Sequence, residues 1–314
     1  MLAIETIELT KKYKALTAVN RLNLKVKTNT VHGFLGPNGA GKTTTIKILI
    51  GLLKADSGTT RIFEQVVQGD KPDIRLRIGY MPELPKFPKH LTGYELLDIY
   101  GKMYGMTKQE RREQIPKLLE TVDLKNREKD HIGKYSKGMQ QRLGIAQALV
   151  SNPELVIMDE PSLGLDPVGM VEVREILKEV AKEGVTVFIS SHLLHEVQQI
   201  CSHVTIINRG IALESDTLTN VSSRLSGLPT LLVEVSDLTD KIIKSLEKLS
   251  FVSSISKENN KMIISVNTRD DVRTRVSKAI TKSKGVIVSM SLKEQSLEDV
   301  FMKLVKDQEG SKKK

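Results

Sequence analysis

Cysteine is almost absent from this 314-residue sequence: Cys201 stands alone and cannot form an intramolecular disulfide. Long apolar runs are missing too. The most apolar helix-like stretch, "IKILIGLL" at 46–53, falls far short of the ~18–20 residues that a membrane span needs. Any work at a membrane therefore requires a separate partner. The first residues, "MLAIETIELT", lack the basic-then-apolar layout of a signal peptide, so a cytosolic chain is expected. Aromatic residues are 4% of the chain and form no stripe with the basic ones. The net charge of +10, from 48 Lys and Arg against 38 Asp and Glu, then reads as a solvated lysine-rich surface or a contact with an anionic membrane face. No specific nucleic-acid partner is expected. His192 and His195 have no companions that would complete a zinc site. Cys201, on an expected helix, and His32, beside an apolar strand, read as packing residues.

What is present is layered. The length exceeds that of a usual single domain, and 39% hydrophobic content is ample for packed cores, so two domains are expected. The first 30 residues alternate apolar and polar ("LAIETIEL", then "NLKVK"), as antiparallel strands do. From residue 31 short apolar runs such as "VHGFLG", "ELVIMDE" and "VTVFISSH" end in functional-looking residues and alternate with helical stretches. That is the α/β pattern of a parallel sheet buried on both faces, with active residues at the carboxyl ends of its strands. Residues 91–150 read as an inserted helical lobe. The Tyr and Met residues of its "YELLDIYGKMYGM" suit lobe packing and a docking face for a membrane partner.

After about residue 222 the texture changes. Strand 231–235, helix 239–249, a hairpin around "KENN", helix 270–282, strand 286–290 and a last helix from Ser296 predict a small α+β ferredoxin-like domain. The expected division is 1–221, 222–308 and a disordered basic tail at 309–314.

Two motifs carry chemistry. "GPNGAGKT", Gly36 to Thr43, follows an expected strand and opens an expected helix, which is the setting of a phosphate-binding P-loop. Gly36, Pro37, Asn38, Gly39, Ala40 and Gly41 let backbone N–H groups close around phosphates; Lys42 reaches the β- and γ-phosphates, and Thr43 offers its hydroxyl to Mg²⁺, with Thr44 beside it. "LVIMDE" at 155–160 ends an apolar strand in two carboxylates. Asp159 is suited to hold Mg²⁺, and Glu160 to polarise the water that attacks the γ-phosphate. A GTPase should also carry N-K-x-D, but the nearest string, "NKMI" at 260–263, lacks the Asp.

The stretch that discriminates among P-loop proteins is "YSKGMQQRLGIAQAL" at 135–149, which resembles the signature loop and helix of the ABC ATPases. Lys137 and Met139 depart from the usual Leu-Ser-Gly-Gly-Gln, in the manner of an export-type branch similar to the daunorubicin- and bacitracin-resistance ATPases. The resemblance spans about residues 1–215. It implies a P-loop NTPase fold, ATP and Mg²⁺ as cofactors, and Mg²⁺-dependent ATP hydrolysis that drives a separate polytopic permease, most simply an exporter. It also implies a second ATPase subunit, in a homodimer or a heterodimer, and placement at the inner face of the cell membrane. Tyr13 then stacks on adenine; Ser136 and Gly138 face the γ-phosphate held by the opposite subunit. Asp166 belongs to the D-loop "SLGLD", and His192 is the switch histidine. Glu83, in "GYMPE", stands where Gln is usual and is assigned to Mg²⁺. Lys42, Glu160 and His192 form the catalytic set. The "SLEDVF" segment at 296–301 resembles part of the branch's accessory domain, read as regulatory or dimer-supporting. A non-transport ABC motor on ribosomes or DNA is the rival, although such chains carry two modules or long coiled-coil insertions.

Overall fold

The computed structural model describes residues 1–67, 72–225, 230–268 and 270–293. The final helix expected from Ser296, the "SLEDVF" segment and the basic tail lie outside the described residues. The chain divides into two compact units, Met1–Val221 and Ser222–Lys314.

In the first unit β1 (Leu2–Tyr13) and β2 (Leu16–Lys27) pair antiparallel, followed by β3 (Val31–Leu35) and α1 (Lys42–Leu49). The alternation of β2 is literal: Leu22, Leu24 and Val26 are buried, whereas Arg21, Asn23, Lys25 and Lys27 face outward. With β4 (Ser57–Ile62) and β5 (Gln65–Val66) these strands make a four-stranded sheet in the order β2-β1-β4-β5. After α2 (Pro72–Leu76) comes β6 (Ile78–Met81), and the helical lobe follows with α3 (Gly93–Met103), α4 (Lys108–Thr121) and α5 (Lys137–Leu149). Both α3 and α4 start at capping boxes, Thr92 with Glu95 and Thr107 with Glu110, which satisfy amides that a helix start would otherwise leave unpaired.

The chain then returns to the central sheet through β7 (Leu155–Asp159), α6 (Pro167–Lys182), β8 (Thr186–Ser191), α7 (Leu194–Ile200), β9 (His203–Asn208), β10 (Ile211–Thr217) and α8 (Leu218–Leu225). Its order is β10-β9-β3-β8-β7-β6; neighbours from β9 to β6 run parallel, and β10 is an antiparallel edge. Every residue of β3, β7 and β8 is buried, which explains why their sequences are mostly apolar rather than alternating. The core joins both sheets: Ile4, Leu22 and Leu24 pack in one cluster with Phe34, Ile46, Ile157 and Phe188. The carboxyl ends of β3, β7 and β8 thus open at one edge of a rigid base.

His32 lies inside that base, 2% exposed. One ring nitrogen, Nε2, sits 2.8 Å from Thr205 Oγ1, and Nδ1 has no hydrogen-bond partner. Burial, with His203 adding repulsion, pushes its pKa down to about 3. The folded pKa is therefore below the unfolded value near 6.5, so the stability that the neutral ring contributes is complete above pH 6.5 and is lost as pH falls toward 3. Going from pH 7 to pH 5 should cost about 2 kcal/mol through this group. Urea unfolding at the two pH values measures the gap, which should shrink by at least about half in His32→Gln; an unchanged gap would remove His32 as its source.

The second unit has its own core. Its strands are β11 (Thr230–Val235), β12 (Val252–Glu258), β13 (Lys261–Val266) and β14 (Ile287–Lys293), with α9 (Asp240–Glu247) and α10 (Arg273–Lys282) between them. The order β12-β13-β11-β14, with all neighbours antiparallel, is the ferredoxin-like arrangement. Leu231, Val233 and Ile264 of the sheet bury against Ile242, Leu246, Val276 and Ile280 of the helices. The last strand runs three residues beyond the expected 286–290, because its pairing with β11 continues to Thr230↔Lys293.

Candidate functional site

The loop between β3 and α1 is strapped in place by backbone. Gly36 N–H donates to Ser191 O at the end of β8 (3.1 Å), Gly210 N–H to Ala40 O (2.8 Å), and Asn20 N–H to Gly210 O (2.9 Å). A side chain at Gly36 would strike the carbonyl of Ile207, and one at Gly41, where φ is 104°, the carbonyl of Ala18. These two positions admit only glycine. No side chain caps α1 and no acidic residue occupies its first turn, so the positive end of the helix faces the loop uncompensated.

Lys42 is 6% exposed. Its ammonium donates to Gly36 O at 2.6 Å and to Pro37 O at 3.3 Å, and lies 3.1 Å from Glu160 Oε1. That carboxylate oxygen is buried and has no aligned hydrogen bond, so its contact with Lys42 is ionic and without directional constraint. The other oxygen, Oε2, is 2.8 Å from His192 Nδ1. An ionised carboxylate only accepts, which puts the ring proton on Nδ1. Glu160 thus sits between a fixed cation and an imidazole, in a left-handed backbone conformation with φ 51°.

Asp159, 1% exposed, accepts from Ser190 Oγ at 2.5 Å. Glu83 follows β6 and opens on the same space as Lys42 and Thr43. Burial first, then the neighbouring carboxylates of Asp159 and Glu83, push the pKa of the Tyr80 hydroxyl up to about 12. Two carboxylates and the Thr43 hydroxyl in such a field fit a hard, oxygen-seeking dication such as Mg²⁺.

One cavity of about 440 Å³ gathers Tyr13, Pro37, Asn38, Gly39, Gly41, Lys42, Thr43, Thr44, Glu83, Glu160 and His192. Gly36 and Ala40 form the strapped frame of the loop, and Asp159 lies buried beside Glu160. Ser136, Gly138 and Asp166 line a different cavity, of about 490 Å³, with Lys137 and Arg142. In this chain Ser136 caps α5 by accepting from Met139 N–H (3.2 Å), and Asp166 caps α6 by accepting from Gly169 N–H (2.8 Å).

Several residues of the first site escaped the sequence reading. Leu16, Ala18 and Leu163 complete the cavity walls, and Ser190, Ser191 and Gly210 hold its frame. Two hydroxyls ending the apolar run "TVFISS" were a usable signal for Ser190 and Ser191. Ala18 and Gly210 act through backbone across nearly the whole unit and leave no local signal.

Residues 19–163 match the ABC transporter family model, and residues 224–305 match that of the C-terminal domain of DrrA1-3-like ATP-binding proteins. The bacitracin transport ATP-binding protein BcrA of Bacillus licheniformis is 39% identical over 303 residues, covering 96% of this chain and 97% of its own. The linearmycin resistance ATP-binding protein LnrL of Bacillus subtilis is 33% identical over 307 residues, 97% of this chain and 98% of that one. Among solved structures, an ATP-binding subunit of an ABC transporter aligns with a TM-score of 0.64 at 30% identity, over 71% of this chain and 92% of that one. An ATP-binding cassette solved as a dimer with ADP and phosphate, at 24% identity, TM-score 0.63 and coverage of 68% and 98%, shares the fold. The chain belongs to the ATP-binding proteins of ABC transporters. It is a Mg²⁺-dependent ATPase, the nucleotide-binding subunit of a transporter.

Proposed function

We propose that two copies of this chain sandwich ATP and drive a separate polytopic permease that exports its cargo, from the inner face of the cell membrane. One observation carries the reading: the residues implied for a single nucleotide site lie in two different cavities of one chain, Lys42 in one and Ser136 in the other. A second subunit must supply the missing half. That no described helix is long and apolar enough to cross a membrane is consistent with a separate permease. The relatives named for bacitracin transport and linearmycin resistance support export, with an antibiotic-like cargo.

In the first half-site Lys42 and the Gly36–Gly41 amides bind the phosphates, and the uncapped α1 start favours their negative charge. Thr43, Glu83 and Asp159 are the residues that would hold Mg²⁺. When bound, the ion neutralises charge on the transferring phosphate oxygens. Glu160 accepts the proton of the attacking water, and the His192 Nδ1–H contact fixes the direction of its carboxylate. Tyr13, 45% exposed at the cavity rim, offers a ring face to the base. Ser136 and Gly138 present the start of α5 to the nucleotide of the other copy, and Asp166 orders the loop beside them.

Affinity capture of the tagged chain from gently solubilised native membranes tests the partner assignment. A stoichiometric polytopic membrane protein is the expected companion. Recovery with ribosomes and no such protein would favour the non-transport reading instead.

A further inference from the structure

Ser190 is fully buried at the end of β8, and no motif assigns it a role. Its hydroxyl has one proton to give. The Glu160 N–H donates to Ser190 Oγ at 2.9 Å, and that amide can do nothing else. The Ser190 proton therefore goes to Asp159 Oδ1, 2.5 Å away. These two bonds straddle the peptide between the two acids. That peptide needs holding, because Glu160 carries φ 51°, a region that residues with a Cβ occupy only when their surroundings enforce it. Parallel pairing of β7 with β8 sets the register Asp159↔Ser190, which brings the hydroxyl beneath the turn. The neighbouring Ser191 carbonyl receives Gly36 N–H, so one strand end ties both the phosphate loop and the acid pair.

We propose that Ser190 is a positioning residue for ATP hydrolysis: its hydroxyl pins the Asp159–Glu160 peptide in the left-handed turn that aims the Glu160 carboxylate between Lys42 and His192. This rests on the reading of Glu160 as the base. An extended backbone at residue 160 would turn the side chain out of that position. The two hydrogen bonds of the Ser190 hydroxyl go to Glu160 and Asp159, not to Lys42 or the Gly36–Gly41 loop, so loosening the pin should slow turnover and spare nucleotide affinity. It should also disturb Asp159, which loses the donor that fixes one of its oxygens.

The test uses the near-isosteric pair Ser190→Val and Ser190→Thr, with Ser190→Ala as the smaller removal, in the full-length chain. In the valine and alanine variants kcat should fall about 10- to 100-fold, the span expected for losing a hydrogen bond to a charged group. KM for ATP and the affinity for a fluorescent ATP analogue in EDTA should stay within about twofold of the parent. The Mg²⁺ concentration for half-maximal activity should rise in Ser190→Val and return toward the parent in Ser190→Thr, along with most of kcat. A valine or alanine variant with kcat within about twofold of the parent overturns the proposal. So does a threonine variant no faster than its hydroxyl-free counterpart while both bind nucleotide in EDTA. If the valine variant fails to bind in EDTA, the alanine and threonine variants decide by the same criterion. Glu160→Gln, measured alongside, separates the two layers: sustained turnover there removes Glu160 as the base, and the aiming role of Ser190 with it.

Discussion

Glu160→Gln should bind ATP at least as well as the parent and lose hydrolysis by about 10²- to 10⁴-fold, the range that general-base assistance usually supplies. The geometry gives the reasons for both halves. Glutamine has nearly the same shape, and its carbonyl oxygen can still accept from His192 Nδ1–H, so the side chain keeps its place. It cannot take a proton from water. It also frees Lys42 from a carboxylate 3.1 Å away, which leaves the ammonium more available to phosphate. Purified protein is assayed for phosphate release and, separately, for binding of a fluorescent ATP analogue. An ATP-bound dimer that persists on size exclusion is the further expected sign. Turnover within about tenfold of the parent would exclude Glu160 from proton transfer.

The second large effect comes from mixing two inactive preparations. Lys42→Ala removes the cation of one half-site, and Ser136→Arg blocks the cap of α5 on the other. In a homodimer either substitution damages both sites. In a mixed dimer both lesions meet in one site, and the other combines an intact Lys42 with an intact Ser136. After subunit exchange, with the permease present if assembly needs it, the mixture should recover up to roughly a quarter of parental ATPase, given that random exchange makes half the dimers mixed and each has one of two sites whole. Differential tags verify that mixed dimers form. No recovery in verified mixed dimers would mean that one chain completes its own site or that both sites must act together, and ATP-binding measurements on each variant separate those cases.

Much of the fold was legible because it rests on local or periodic rules. The alternation of residues 21–27 and the buried runs "VHGFL" and "LVIMD" each declare themselves within a few positions. The ferredoxin-like order of the second unit followed from counting elements. Element ends were harder. Helix α10 starts at Arg273 rather than 270, and the Asp271 carboxylate takes both the N–H and the guanidinium of Arg273 there. Lys42, Thr43, Glu83, Glu160 and His192 share one cavity, since their motifs sit at adjacent strand ends of a parallel sheet, whereas Gly36, Ala40 and Asp159 stand behind its walls. What stayed hidden is the frame behind them. The Asn20–Gly210–Ala40 strap and the Ser190 hydroxyl join positions far apart in sequence through single hydrogen bonds, and only the register of the strands brings them together.

The two cavities on one chain also bear on when fuel is consumed. If a working site needs one face from each of two molecules, a solitary chain is idle on both faces, and its output per molecule climbs with crowding instead of staying constant. A permease that seats two copies side by side raises their effective concentration to about the millimolar range typical of tethered partners. Free subunits awaiting assembly would then draw little on the cell's ATP, and thrift of this kind would come from stoichiometry alone, with no dedicated brake.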